Sequence, residues 1–333
     1  MNTLPRNLIL PGDARDVLPT LPSESVDSVI TSPPYFRLRD YGTVGQLGQE
    51  NTVDEYVTNL QAVTGEVRRV LKDTGSLWLN LGDTYSRHGR WGAPAKSLLM
   101  VPERVARALT DDGWILRSKV LWQKTNPLPS SAADRLSPTY EVLYFFVKSR
   151  RYFFDLDAIR VPHRSSHRAR RRHPGESSRR YQGGNAGLGA LKAAGRVGHA
   201  LGKNPGDVWT YPTAIDRRGH QATFPERLIE RPIRSSCPER ICVQCDQPWT
   251  RPVRVMAART ADGSREVRTT GALRRCDCFA PSRPGVVLDP FCGTGTVGEV
   301  ASRLGRDWLG IELSARYRTL AAARLRATYR RAA

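Results

Sequence analysis

Apolar residues along this 333-residue chain fall into short continuous runs that alternate with longer stretches at helical spacing. Leu8-Ile-Leu10 ahead of Gly12-Asp13, Val26 to Ile30, and Ser76-Leu-Trp-Leu-Asn-Leu81 predict three short strands. Between the second and third, Val53, Tyr56, Val57, Leu60, Val63, Val67, Val70 and Leu71 recur a turn apart behind Thr52-Val-Asp-Glu55. That start has the form of a capping box, and the spacing predicts an amphipathic helix. Pro102 to Asp112 reads as another helix, and Ile115 to Trp122 and Tyr140 to Val147 as two strands, the second rich in Tyr, Phe and Val. The two suit an antiparallel hairpin at a sheet edge. Val286-Val-Leu288 and Trp308-Leu-Gly-Ile-Glu312 add strands on either side of a glycine-rich turn that opens a helix. Such alternation predicts an α/β fold around a mainly parallel sheet.

Pro162 to Lys203 breaks the pattern, with ten Lys or Arg against one Glu, abundant Gly and Ser, and almost no large apolar side chain. Such a segment cannot build a core. It reads as a linker or as an arm that orders on a phosphate backbone, and Arg168, Arg170, Arg171, Arg172, Arg179 and Arg180 favour the arm. Over the whole chain 52 Lys plus Arg stand against 32 Asp plus Glu, a formal charge of +20, which points to a polyanionic partner and first of all to nucleic acid. The start lacks a basic segment followed by a long apolar core, and no run is apolar enough to span a bilayer. The expectation is a cytoplasmic protein with no membrane partner. Six cysteines, four of them in two close pairs, suit a reducing compartment and a metal better than a disulfide framework.

Two motifs carry candidate chemistry. Asp289-Pro-Phe-Cys-Gly-Thr-Gly-Thr-Val-Gly-Glu299 follows one apolar strand and Thr31-Ser-Pro-Pro-Tyr35 follows another. Both therefore sit where open α/β sheets place ligands, and they can meet in one cleft. Gly293, Gly295 and Gly298 allow a tight turn and close backbone approach. Glu312, nineteen residues beyond the first of these glycines, can accept hydrogen bonds from ribose hydroxyls. Those residues alone would equally serve a nicotinamide-dependent oxidoreductase, which leaves Ser32 to Tyr35 and the basic surplus unexplained. A non-catalytic zinc-containing DNA-binding protein would explain charge and cysteines but not the paired motifs. Cys292, inside the turn, reads as a small packing residue.

Asp-Pro-Phe-x-Gly-x-Gly-Thr with Ser-Pro-Pro-Tyr resembles the permuted, beta-class DNA amino-methyltransferases, whose catalytic motif precedes the cofactor motif as Ser32 precedes Gly293 here. Asn7 to Asp13, Tyr41-Gly42 with Gly45 to Glu50, Gly75 to Asp83, Trp122 to Pro127, Thr139 to Lys148 and Trp308 to Glu312 are also similar to that family, so the resemblance covers most of the chain. It implies a Rossmann-like, circularly permuted S-adenosylmethionine-dependent methyltransferase sheet, with Leu8 to Leu10 supplying the strand after Glu312. Asp289, Pro290, Phe291, Gly293, Thr294, Gly295 and Thr296 would face the methionine part of S-adenosylmethionine. Phe224 and Pro225 would help enclose the cofactor, and Asp13 would lie near its adenine.

Ser-Pro-Pro-Tyr is similar to the cytosine-N4 enzymes, whereas adenine-N6 enzymes more often begin the motif with Asp or Asn and remain the alternative. Exocyclic amino groups are poor nucleophiles because the nitrogen lone pair is delocalised into the ring. Ser32 and the carbonyl of Pro33, accepting the amino protons, would draw that nitrogen toward tetrahedral geometry. Pro33 and Pro34 stiffen the backbone, and Tyr35 offers a face to an extruded base. The implied partners are double-stranded DNA and, in restriction-modification settings, a cognate restriction endonuclease.

Cys242-x2-Cys245, a thirty-residue interval and Cys276-x-Cys278 resemble the two ligand pairs of a zinc ribbon, a closed structural site for Zn2+. Trp249 to Val255 and Val267 to Leu273 are its candidate hairpin arms, and Cys237 is a substitute ligand. The organisation expected is a catalytic half (1–161), a basic DNA-recognition insertion (162–218), a cofactor-enclosing helix (219–236), a zinc-ribbon-like module (237–282) and a cofactor half (283–333).

Overall fold

The computed structural model describes residues 3–162, 199, 201–214, 224–250, 253–259, 265–269 and 276–332. Helix α1 is a single turn, Ala14–Val17, and α2 (Val53–Val70) forms where the apolar spacing places it, with Tyr56, Leu60, Val63 and Val67 all buried. Thr52 Oγ1 accepts from the Glu55 N–H (3.1 Å), while Glu55 Oε2 accepts from the Asn51 N–H (2.9 Å), one residue before the expected partner.

Strands β1 (Leu8–Pro11), β2 (Val26–Thr31) and β3 (Leu71–Leu81) are followed by α3 (Val101–Asp111), β4 (Ile115–Lys124), β5 (Tyr140–Val147) and β6 (Val208–Tyr211). After these come α4 (Glu226–Ser236), β7 (Ile241–Cys242), β8 (Val253–Arg259), β9 (Arg265–Thr269), β10 (Ser282–Arg283) and β11 (Val286–Asp289). The remaining elements are α5 (Thr296–Arg303), β12 (Asp307–Glu312) and α6 (Ala315–Ala332). One eight-stranded sheet runs β1-β12-β11-β2-β3-β5-β4-β6. It is parallel from β1 to β3 and antiparallel at β3–β5 and β5–β4.

The continuous apolar runs have a direct cause: both faces of the sheet are covered. On β5, Val142, Tyr144 and Phe146 join the cluster under α2 and α3, while Leu143, Phe145 and Val147 join the one under α4 and α5.

Three expectations need correction. The β4–β5 hairpin is not the sheet edge, because β6 pairs parallel with β4 outside it (Trp122↔Trp209). The third strand begins at Leu71 rather than Ser76, so α2 ends one residue sooner than its apolar pattern. The hairpin between the cysteine pairs joins Val253–Arg259 to Arg265–Thr269, with Val253 opposite Thr269, and its arms are shifted from those expected.

The chain divides into two compact units. One comprises Met1–Asp155, Asp207–Trp249 and Cys276–Ala333, and contains the large sheet; the other comprises Leu156–Gly206 and Thr250–Arg275, and contains the β8–β9 hairpin. Arg168, Arg170, Arg171, Arg172, Arg179 and Arg180 lie outside the described residues. Among the described residues no helix is long and apolar enough to cross a membrane.

Candidate active site

Strands β2 and β11 are parallel neighbours (Val287↔Ser28, Leu288↔Val29), so the residues after each leave the sheet side by side. The two motifs are bonded to one another: Thr31 Oγ1 donates to Asp289 Oδ1 at 2.7 Å across 258 residues of sequence. The Phe291 N–H donates to the same oxygen (3.1 Å). Burial pushes the Asp289 carboxyl up to about 7, against the opposing pull of these two bonds.

In the glycine turn Gly293 and Gly295 take φ of 53° and 79°, a region that side chains disfavour. The Gly293 N–H donates to Glu312 Oε2 (2.7 Å), and Glu312 Oε1 accepts from the Ser314 N–H (2.8 Å). Burial raises the Glu312 carboxyl above its usual range although these bonds oppose it. A Cβ on Gly298 would lie 2.8 Å from the Trp308 indole, so the third glycine lets α5 pack on β12. Cys292 is buried against Gly310, in keeping with a packing role.

The loop after β2 is held from below. Tyr56 of α2 donates its hydroxyl to the Pro34 carbonyl (2.9 Å), whereas the Pro33 carbonyl meets no donor among the described residues. Ser32 Oγ donates to Tyr35 Oη (3.1 Å). A Cβ on Gly82 would come within 2.6 Å of the Tyr35 ring, so that glycine makes room for it.

An open cleft runs along these strand ends. Of the predicted residues it is lined by Asp13, Ser32, Pro34, Phe224, Asp289, Pro290, Phe291, Gly293, Thr294, Thr296 and Glu312. Pro33, Tyr35, Pro225 and Gly295 are off its wall. Pro33 is buried, Tyr35 turns its hydroxyl into the protein, and Pro225 and Gly295 stand at the N-termini of α4 and α5. Asp13 faces the cleft with its carboxylate tied to Arg15, which donates to both oxygens (2.8, 3.0 and 2.6 Å). Burial pushes that carboxyl up, but the Arg15 bonds and charge outweigh it and hold it below its usual range. Sequence reasoning had not singled out Tyr317, which lines the cleft edge-on to Tyr41 from the first turn of α6. A nucleoside cofactor fits this donor set. Thr294 Oγ1 is buried on the cleft wall without a partner among the described residues, an orphan that a ligand can satisfy.

The four Sγ atoms of Cys242, Cys245, Cys276 and Cys278 lie within 4.8 Å of one another, and Cys237 is not among them. Tetrahedral zinc–thiolate bonds of about 2.3 Å place sulfurs roughly 3.8 Å apart, so modest tightening suffices. Asp246 and Phe279, each following the second cysteine of its pair, take positive φ (56° and 53°). Such turns aim backbone N–H groups at sulfur. Those of Cys245 and then Gln244 pull the Cys242 thiol down to about 7. Asp246 is held by Lys72 (2.5 Å) and Arg283 (2.6 Å), and Lys72 also pairs with Asp27 of β2 (2.8 Å), which ties the cluster to the sheet.

Sheet, glycine turn and cleft together define a Rossmann-like α/β fold with a ligand-sized cleft at its strand ends. Residues 26–323 match the profile of the DNA methylases that act at N6 or N4 amino groups, and the chain belongs to this S-adenosylmethionine-dependent family. The type II methyltransferase M.XycI of Xanthomonas campestris pv. cyanopsidis is 34% identical over 336 residues, covering 94% of this chain and 86% of the relative. M.SmaI of Serratia marcescens is 32% identical, covering 95% and 90%. Among solved structures, the PvuII DNA methyltransferase (cytosine-N4-specific) superposes with a TM-score of 0.58 at 19% identity, over 99% of this chain and 93% of that one. The putative DNA modification methylase TTHA0409 of Thermus thermophilus, complexed with S-adenosyl-L-methionine, gives 0.50 at 23% identity over 96% and 94%. Those two likenesses concern the fold. Family membership removes both the oxidoreductase and the non-catalytic reading.

Proposed function

We propose that this methylase modifies the exocyclic N4 of cytosine at specific sites in duplex DNA, in restriction-modification alongside a cognate endonuclease or as an epigenetic mark. The observation that carries the reading is the Thr31–Asp289 bond, which sets Ser32 on the wall of the cleft that the glycine turn lines. Asp289 to Thr296, with Glu312, Asp13 and the Phe224-Pro225 segment, would hold S-adenosylmethionine, and Thr294 Oγ1 would gain a partner. Bound there, the cofactor supplies an electrophilic methyl group on a sulfonium.

The target amino group is inaccessible inside a duplex, so the base must be extruded. Ser32 Oγ on the cleft wall would accept an amino proton and draw the nitrogen lone pair out of the ring; for the Pro33 carbonyl to take the second proton and Tyr35 to stack on the base, the base must reach behind the wall that Ser32 and Pro34 form. Tyr56, by occupying the Pro34 carbonyl, keeps the loop in register for that contact. A neutral serine in the first position favours cytosine, by resemblance to the N4 enzymes. We read the chain as circularly permuted, since β1 pairs with β12 where a strand after Glu312 would otherwise lie. Cys242, Cys245, Cys276 and Cys278 would hold a structural zinc ion, and the arginines from Arg168 to Arg180 would contact DNA phosphates.

The test is incubation with labelled S-adenosylmethionine and mixed-sequence duplex DNA, followed by digestion to nucleosides and mass spectrometry. N4-methylcytosine is the expected product. N6-methyladenine would overturn the choice of base while leaving the cleft chemistry intact.

A further inference from the structure

Behind the Ser-Pro-Pro-Tyr loop lies a partly buried polar chain whose links the roles above leave unused. Ser32 Oγ donates to Tyr35 Oη (3.1 Å), and Tyr35 Oη donates to Glu141 Oε2 (2.6 Å). Asn80 Nδ2 donates to both Tyr35 Oη (2.6 Å) and Glu141 Oε2 (2.8 Å). Lys124 closes the far end with an ion pair to Glu141 Oε1 (2.6 Å). The members come from the ends of four strands, with Asn80 on β3, Glu141 on β5 and Lys124 on β4. Asn80 is buried in this otherwise apolar part of the sheet, and its Oδ1 has no partner among the described residues; so costly an arrangement calls for a use. All the links run one way. Ser32 gives its proton inward and so presents lone pairs to the cleft, and Tyr35 passes the direction on to a carboxylate.

We propose that Ser32, Tyr35 and Glu141 form the exit route for the proton that the target amino group loses on methylation. This rests on the function proposed above. As the N–C bond forms, the S–C bond breaks and its electron pair stays on sulfur. The amino nitrogen, now positive, releases a proton to Ser32 Oγ and keeps the electron pair of that N–H bond. Ser32's own proton moves to Tyr35 Oη, and Tyr35's moves to Glu141 Oε2, turning the carboxylate into the acid. Glu141 later returns that proton to water beside the partly exposed Lys124.

Burial, and then the neighbouring Glu141, hold the Tyr35 phenol well above its ordinary range. Tyr35 therefore receives one proton as it gives up another and never stands as a phenolate. Asn80 only donates here, and its bonds fix the direction of the chain.

Tyr35→Phe keeps the ring and removes the link, Glu141→Gln keeps the shape and removes the acceptor, and Glu141→Ala opens room for a small carboxylate. Single-turnover methyl transfer is measured for each with saturating DNA and S-adenosylmethionine, alongside the affinity for both and with or without added formate. Y35F and E141Q are expected to slow transfer by about 10²-fold with both affinities unchanged, and formate is expected to restore much of the E141A rate. Wild-type rates in Y35F or E141Q overturn the relay. So do slowed variants that also lose affinity and gain nothing from formate, which marks a purely structural network. A wild-type protein that transfers no methyl group overturns the proposed function, and the relay with it.

Discussion

Replacing Asp289 by asparagine should make the cofactor-free protein less sensitive to alkaline conditions. Both hydrogen bonds to this side chain, from Thr31 and Phe291, end on the same oxygen, so an amide oxygen can take them over. What changes is the charge. An aspartate carboxyl with an ordinary value of 3.8, raised to about 7 by burial at 3% exposure, costs the folded chain roughly 4 kcal/mol when ionised, at 1.36 kcal/mol per pH unit. Between those two values the folded state binds more protons than the unfolded one, so stability falls as pH rises and the whole penalty is present above about pH 7. From about pH 5.5 to about pH 8 the wild type should therefore lose roughly 2 kcal/mol relative to D289N. Urea unfolding of both proteins at the two pH values isolates this quantity, because the other titrating groups cancel in the double difference. Parallel pH profiles would refute the argument that the charge is confined in an apolar setting.

Ser32→Ala should lower methyl transfer by about 10²- to 10³-fold while DNA binding, followed by fluorescence anisotropy, is retained. Gly298→Ala sets a methyl group against the Trp308 indole and should cost roughly 1–3 kcal/mol in denaturant unfolding, with a loss near zero meaning that α5 can shift away from β12. Purified protein should carry about one zinc ion per chain by elemental analysis, and Cys276→Ser should lower both the content and the thermal midpoint; metal-free protein of full stability would sink the zinc assignment.

Much of the sheet was legible because its strands are buried on both faces and read as unbroken apolar runs, and α2 because its stripe continues for five turns. Strand β6 was not legible: it has four residues, of which only Trp209 is buried, and it follows a long polar segment. Its pairing is set by β4, which no local pattern records. In the site, the turn and loop motifs announced themselves, but Glu141 and Lys124 did not, since each looks like an ordinary charged residue at a strand end. Asn80 carried a usable signal. A polar residue inside Leu77-Trp-Leu-Asn-Leu81, on a strand covered on both faces, must find a partner, and the partners here are Tyr35 and Glu141.

The pairing of β1 with β12 also governs when the protein can exist in working form. Leu8 to Pro11 leave the ribosome some three hundred residues ahead of Leu309 to Glu312 and must wait for them before the strand pairing can form. Until then β2 lacks its neighbour β11, Thr31 has no Asp289 to hold, and the cleft has one wall. A nascent or prematurely terminated chain therefore cannot mark DNA, and synthesis itself imposes a delay between the start of translation and the first modification.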